Sequence, residues 1–291
     1  MNITLQTTEN YRSNAIWGKR LLYLLSQDVH TVDIKITSFP RIDLRKGKHI
    51  IPFKINDKLF LIDDWDYGYP TIDILDKGIP EYYSNNKATI LKIQYCPNET
   101  EKYIAIYERF GIKVLPFIEF PNSIYPLENY LWSNNDNFQY QYMITGKRWR
   151  ERIRFIQYAQ QWHSETCLID GSQVLGEEQP VHTMEQWIEA QKKCRWGLVL
   201  KGKGCGGKNR REIEFSSCGM PLALNYKPLY PFPFEPNYHY LYLEQPDHLN
   251  RLYEVDPQPY AERSLEIYRQ YFSPSSGIYT SFINAYNQSN Q

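Results

Sequence analysis

The stretch from Trp196 to Leu224, WGLVLKGKGCGGKNRREIEFSSCGMPLAL, constrains the fold more than any other part of the chain. The run Leu198, Val199, Leu200 has the continuous apolar character of a strand buried on both faces, as in a parallel sheet. Gly202, Gly204, Gly206 and Gly207 crowd the turn that follows. A helical pattern starts near Arg210 and breaks at Cys218-Gly219, where glycine suits a left-handed helix end. Met220 to Leu224 reads as the next strand. Strand, glycine turn, helix and strand form one βαβ unit. Such a unit aims backbone N–H groups and a helix N-terminus at a place where a phosphate can sit. Arg211 and Glu214, three residues apart, share one face of its helix.

The ordered set Arg211-x-x-Glu214 and Gly219-x-Pro221 resembles the donor-site signature of GT-B-fold glycosyltransferases. The resemblance implies that Glu214 holds the ribose of a nucleotide-sugar, while Gly204, Gly206, Lys208 and Arg211 face its phosphates. It implies an α/β chain of two Rossmann-like domains facing a cleft. Residues 1–130 would form the acceptor-side domain, and residues 136–291 the nucleotide-sugar-binding domain, with C-terminal helices crossing back. The implied reaction moves a glycosyl group from the nucleotide-sugar, a substrate rather than a cofactor, to a hydroxyl of a glycan or other acceptor. Arg211 would stabilise the leaving diphosphate, and no metal is expected. On their own, Arg211 and Glu214 also fit a solvated i,i+3 pair on an ordinary helix.

A second unit opens in the same way. Tyr140 to Thr145 is a short strand, Gly146-Lys147-Arg148 a basic turn, and Arg150 to Trp162 a helix with Ile153, Ile156, Tyr158 and Ala159 inward. The resemblance makes Gly146, Lys147, Arg148 and Arg152 candidates for donor phosphate contact. As residues alone, the same bases suit the solvated side of an exposed helix.

Two competing motifs stay open. Gly202-x-x-x-x-Gly207-Lys208 matches most of a phosphate-binding P-loop, but Asn209 stands where the Mg²⁺-binding hydroxyl belongs. Lys58 to Asp66, KLFLIDDWD, is an apolar strand ending in carboxylates. Asp64-x-Asp66 has the D-x-D form with which metal-dependent GT-A glycosyltransferases hold Mn²⁺ or Mg²⁺, and hard oxygen ligands suit those cations. In the GT-B reading, Asp64 or Asp66 serves instead as the base for the acceptor hydroxyl. A polar turn, DDWDYGY, accounts for the same residues without chemistry. A nucleotide- or sugar-binding module without catalysis is the reading outside enzymology.

The N-terminal half carries further strand patterns at Val32–Ile36, Lys58–Ile62, Ala88–Tyr95 and Lys113–Phe120, with helices at Ile16–Leu25 and near Glu101–Phe110. The alternation suggests an α/β layer. Asn, Pro and Ser over residues 123–138 suggest a linker. Helices are also expected over Thr183–Lys193, Pro246–Leu252, Ala261–Phe272 and Ser275–Tyr286. Basic and acidic residues balance at 33 each, which gives no sign of nucleic-acid binding. The 25 tyrosines favour a folded chain and suit sugar handling. The first residues lack a signal-peptide pattern, and no apolar run is long enough to span a membrane. The five cysteines show no C-x-x-C and suggest a cytoplasmic chain. His163 reads as part of a solvated helix end. His239 lies in an aromatic loop, near a sugar or at the surface.

Overall fold

The computed structural model describes residues 3–7, 32–36, 50–63, 81–93, 95–118, 131–134, 137–145, 150–170, 184–202, 210–273 and 277–291. These residues form a mixed α/β structure with two sheets.

The first sheet contains β1 (Ile3–Thr7), β2 (Val32–Ile36), β3 (Ile50–Ile55), β4 (Lys58–Asp63), β5 (Thr89–Lys92) and β6 (Lys113–Pro116), in the order β2-β1-β3-β4-β5-β6. Strands β4, β5 and β6 run parallel. β3 is antiparallel to both neighbours and joins β4 through a tight turn in which Asn56 takes φ 52°. Two short helices, α1 (Glu81–Asn85) and α2 (Pro97–Glu108), connect the parallel strands. Successive residues of β4 serve opposite faces. Leu59 and Leu61 pack with Tyr83 of α1 and Tyr107 of α2, whereas Phe60 and Ile62 pack on the other side with Phe53 and Phe117. Both faces are covered, which is why the strand reads as an unbroken apolar run.

The second sheet contains β7 (Tyr140–Thr145), β8 (Cys167–Asp170), β9 (Cys194–Val199), β10 (Leu222–Leu224) and β11 (Leu241–Tyr242). Its order is β11-β10-β9-β7-β8, and every pairing is parallel. The connecting helices are α3 (Arg150–Trp162), α4 (Met184–Lys192) and α5 (Arg210–Ser217). A 3₁₀ turn (Pro246–Asn250) and α6 (Arg251–Glu254) follow β11. Phe155, Ile156 and Ala159 of α3 share one face of this sheet with Leu249 and Leu252. Trp187 and Ile188 of α4 share the other with Ile213 and Phe215 of α5. This is a doubly wound layer. The inward set on α3 differs from the expected one: Ile153 is exposed, and Phe155 takes its place beside Ile156 and Ala159.

Two helices end the described chain, α7 (Gln258–Ile267) and α8 (Gly277–Ser289), with a π-helical turn at Tyr268–Phe272 after α7. α7 lies on α5, where the Ser264 and Ser216 hydroxyls bond at 3.0 Å. α8 lies on the first sheet. Phe282 meets Phe53 and Phe117 edge-on at 5.3 and 5.1 Å. Lys58 donates to the Ser289 carbonyl, and Lys113 to the Gln288 carbonyl at 2.7 Å. Two cations thus meet the negative end of the α8 dipole.

Candidate functional site

In a doubly wound sheet, ligands bind outside the carboxyl ends of the strands, at the point where successive connections leave to opposite sides. Here that point lies between β7 and β9. β7 leads through α3 to β8 on one flank, and α4 then carries the chain across to β9. The strand ends at this point are Thr145 and Val199. Gly146, Lys147 and Arg148 follow the first in the chain. Gly204, Gly206 and Lys208 follow the second. All six lie outside the described residues, as do Asp64 and Asp66, the Ile16–Leu25 segment and the P-loop residues after Gly202.

Arg152, in the first turn of α3, is only 5% exposed. Its Nε donates to the Lys201 carbonyl at 3.0 Å, just past the end of β9. The Lys201 N–H donates in turn to Asn225 Oδ1 at 2.6 Å, past the end of β10. Burial pushes the Arg152 guanidinium below its usual pKa; Tyr226 acts against that shift, and Arg211 adds to it. Arg211 is thus among the charges that act on Arg152. The alternative reading of Arg152 as a solvated base gives way to a buried cation over a strand end.

Arg211 and Glu214 pair on α5 at 2.6 Å, with side-chain exposures of 32% and 2%. The pair foreseen from spacing is present, but its carboxylate is buried rather than solvated. The Arg211 guanidinium also lies 5.1 Å from the centre of the Trp187 ring, which stacks on Phe215. α5 approaches β9 closely because Gly197 has no side chain: a Cβ there would sit 2.7 Å from the Phe215 ring. The helix ends as the sequence suggests. Gly219 has φ 70°, its N–H bonds the Ser216 carbonyl, and the Met220 N–H bonds the Phe215 carbonyl. This pair of bonds is a Schellman cap.

Sequence reasoning missed Glu212. It is 2% exposed, and its two carboxylate oxygens accept hydrogen bonds from Tyr226 and from Tyr230, the latter at 2.8 Å. Burial first, and Glu212 second, raise the Tyr226 hydroxyl well above its ordinary pKa. Tyr240, also fully buried, is raised by burial and by Glu212. The Thr145 hydroxyl, at the end of β7, is buried with no hydrogen-bond partner among the described residues.

Asp63 and Lys92 end β4 and β5 in the first sheet and pair at 3.0 Å, both fully buried. His163 is not a solvated helix end. Its Nδ1 lies 2.8 Å from the Tyr142 hydroxyl and its Nε2 3.1 Å from Asn250 Oδ1. Burial lowers its pKa, against the Asn250 bond. The neutral ring donates from Nε2 to Asn250 and accepts at Nδ1 from Tyr142. His239 serves its own loop, with Nδ1 accepting from the Glu235 N–H at 2.8 Å. Burial pushes the Cys194 and Cys218 thiols up to about 12, so neither is a nucleophile at neutral pH. Among the described residues, no helix is long and apolar enough to cross a membrane.

No protein-family model matches the chain, and no curated protein matches it. Among solved structures it is similar to the crystal structure of a GtfA/B complex, with 11% sequence identity and a TM-score of 0.41. The match covers 82% of this chain and 63% of that one, so the chain spans less than two thirds of its length.

Proposed function

We propose that the chain is a GT-B-type glycosyltransferase that moves a sugar from a nucleotide-sugar to an acceptor hydroxyl. The observation that carries this reading is the convergence of Arg152 and Arg211 at the carboxyl ends of an all-parallel, doubly wound sheet. The buried Arg152 and the partly exposed Arg211 bring positive charge to that end of the sheet, and a nucleoside diphosphate supplies the complementary charge. In this reading residues 136–291 bind the donor and residues 1–130 the acceptor, with Asp64 or Asp66 as base.

The chemistry follows from charge. As the glycosidic bond to the diphosphate breaks, negative charge builds on the leaving oxygens. Fixed cations and helix N-terminal dipoles stabilise that charge without reorganising. Arg211, with Lys208 or Lys147, has this role. Glu214 takes the ribose hydroxyls. A carboxylate offers about four acceptor positions, so Glu214 can keep its bond to Arg211 and accept from ribose as well.

The first test is a thermal-shift screen against UDP-, GDP-, TDP- and CMP-sugars, since a ligand that binds only the folded state raises apparent stability. Release of nucleoside diphosphate in the presence of acceptors then separates an enzyme from a binding module. Transfer should survive EDTA. Strict dependence on Mn²⁺ or Mg²⁺ would replace this reading with the GT-A one centred on Asp64 and Asp66.

A further inference from the structure

We propose that Trp187 is a positioning residue of the donor site, its ring holding the Arg211 guanidinium in place for the leaving diphosphate. The inference rests on the glycosyl-transfer reading and adds α4, an element with no residue of the donor signature. Three contacts in series carry it. Gly197 lies in the central strand β9 and has no side chain, so the Phe215 ring of α5 comes within 2.7 Å of where a Cβ would stand. Phe215 stacks on Trp187 at 5.7 Å with 15° between the planes. The Arg211 guanidinium carbon lies 5.1 Å from the centre of the Trp187 ring, inside the ~6 Å over which an aromatic face attracts a cation. One turn further along α4, the Cys218 thiol donates to Gln191 Oε1 at 3.5 Å and ties α5 to α4. The ring is thus fixed from the sheet outward, and the long side chain it meets is the movable partner.

The indole is the informative part. Trp187 is buried, and its Nε1–H has no hydrogen-bond partner among the described residues. A buried N–H left unpaired destabilises a fold, and a buried tryptophan usually finds a partner for it. Packing alone does not call for that group, because a phenylalanine would stack on Phe215 without it. What the larger ring adds is the strongest negative face among the aromatic side chains. Glu214 also fixes Arg211, at 2.6 Å, but with an opposite charge that offsets the field of the cation. Trp187 orients the guanidinium and leaves its charge for a ligand. A side chain held from two directions loses less freedom when an anion arrives. Positive charge already in place needs no reorganisation as the glycosidic bond breaks.

Calorimetric titration of the full chain tests the role, with UDP against UDP-glucose, GDP against GDP-mannose and TDP against TDP-glucose. A free nucleoside diphosphate carries on its terminal phosphate the charge that builds on the leaving oxygens, and the nucleotide-sugar does not. Trp187→Leu should weaken binding of the diphosphate about fivefold, within the range of a cation–π contact, and of the matching nucleotide-sugar by less than about twofold. In an Arg211→Ala background, Trp187→Leu should change neither. Trp187→Phe keeps a ring on Phe215 and serves where the leucine variant does not fold. It should show about a twofold loss for the diphosphate, again absent without Arg211. The role is overturned if the diphosphate binds unchanged, if both ligands weaken equally, or if the loss persists without Arg211, as it would for a merely structural ring. Each of those outcomes leaves the donor reading standing. A parent chain that binds none of the six ligands removes the donor reading, and this role with it.

Discussion

The carboxyl ends of the two sheets handle charge in opposite ways. In the first sheet, Asp63 and Lys92 face each other across β4 and β5 and are sealed from water, so each charge is answered from within the sheet. In the second, Arg152 is buried over a strand end, and Arg211 is among the charges that act on it. Among their partners are a backbone carbonyl for Arg152 and, for Arg211, a carboxylate whose buried position still leaves the guanidinium a third exposed. A pair neutralised in place stabilises or specifies a fold. Under the proposed function, the cations at the end of the doubly wound sheet meet the anion of the donor. The contrast suits structural work for the first pair and, under the proposed function, ligand work for the second.

The largest expected effect tests the structural side. Lys92→Ala should cost about 3–5 kcal/mol, because it removes the cation that faces a buried carboxylate. Asp63→Leu/Lys92→Met should restore most of that loss in denaturant titrations and leave nucleotide affinity alone. A double variant as unstable as the single one would mean that the pair does more than satisfy itself.

The ligand side comes next. Arg211→Ala should lower turnover by about 10²–10³-fold, in the range for removing one group that stabilises transition-state charge, with a smaller change in donor affinity. Intact turnover in a folded variant would take Arg211 out of the reaction. Glu214→Ala should weaken nucleotide binding by about 1.5–3 kcal/mol, the worth of hydrogen bonds to a charged group. Calorimetric titration giving an unchanged dissociation constant would end the ribose assignment.

The smallest effect concerns His163, on the α3 flank of the second sheet and away from the anion site. Its folded pKa is lowered, so the unfolded chain takes up its proton first as pH falls. The stability it contributes is fully present above its unfolded pKa of about 6.5 and is lost as pH drops through the lower folded value. Melting curves between pH 7.5 and 5 should show this decline, and His163→Gln should flatten it. An unaltered slope would place the acid sensitivity elsewhere.

Local signals were legible in the sequence, and distant ones were not. The helix Arg150–Trp162, the start of α5 at Arg210, its cap at Gly219 and the Arg211–Glu214 pair all follow from periodicity or i,i+3 spacing. β3 is not among the expected strands, and its Pro52 argues against an inner strand. The structure tolerates it because β1 pairs only with Lys54 and Ile55, beyond the proline. β1 and β8 were missed as well, each short and held by neighbours remote in sequence. Glu212 gave no sign because Tyr226 and Tyr230 lie 14 and 18 residues away in a Pro-rich loop without periodicity. His163 was misread because its partners, Tyr142 and Asn250, are 21 and 87 residues distant.

The contacts of α8 bear on the order in which the protein can be made. Lys58 is joined to Ser289 across 231 residues, and Phe53, Phe60 and Phe117 are covered by side chains of that same late helix. A ribosome releases the first sheet long before it releases its cover. For most of synthesis, a row of phenylalanines must wait in water or in the care of a chaperone, and such exposed apolar faces are where nascent chains aggregate. Contacts so distant in sequence also close slowly. Residues 1–130 expressed alone should therefore be poorly soluble, and supplying Gly277–Ser289 as a separate peptide should improve their recovery.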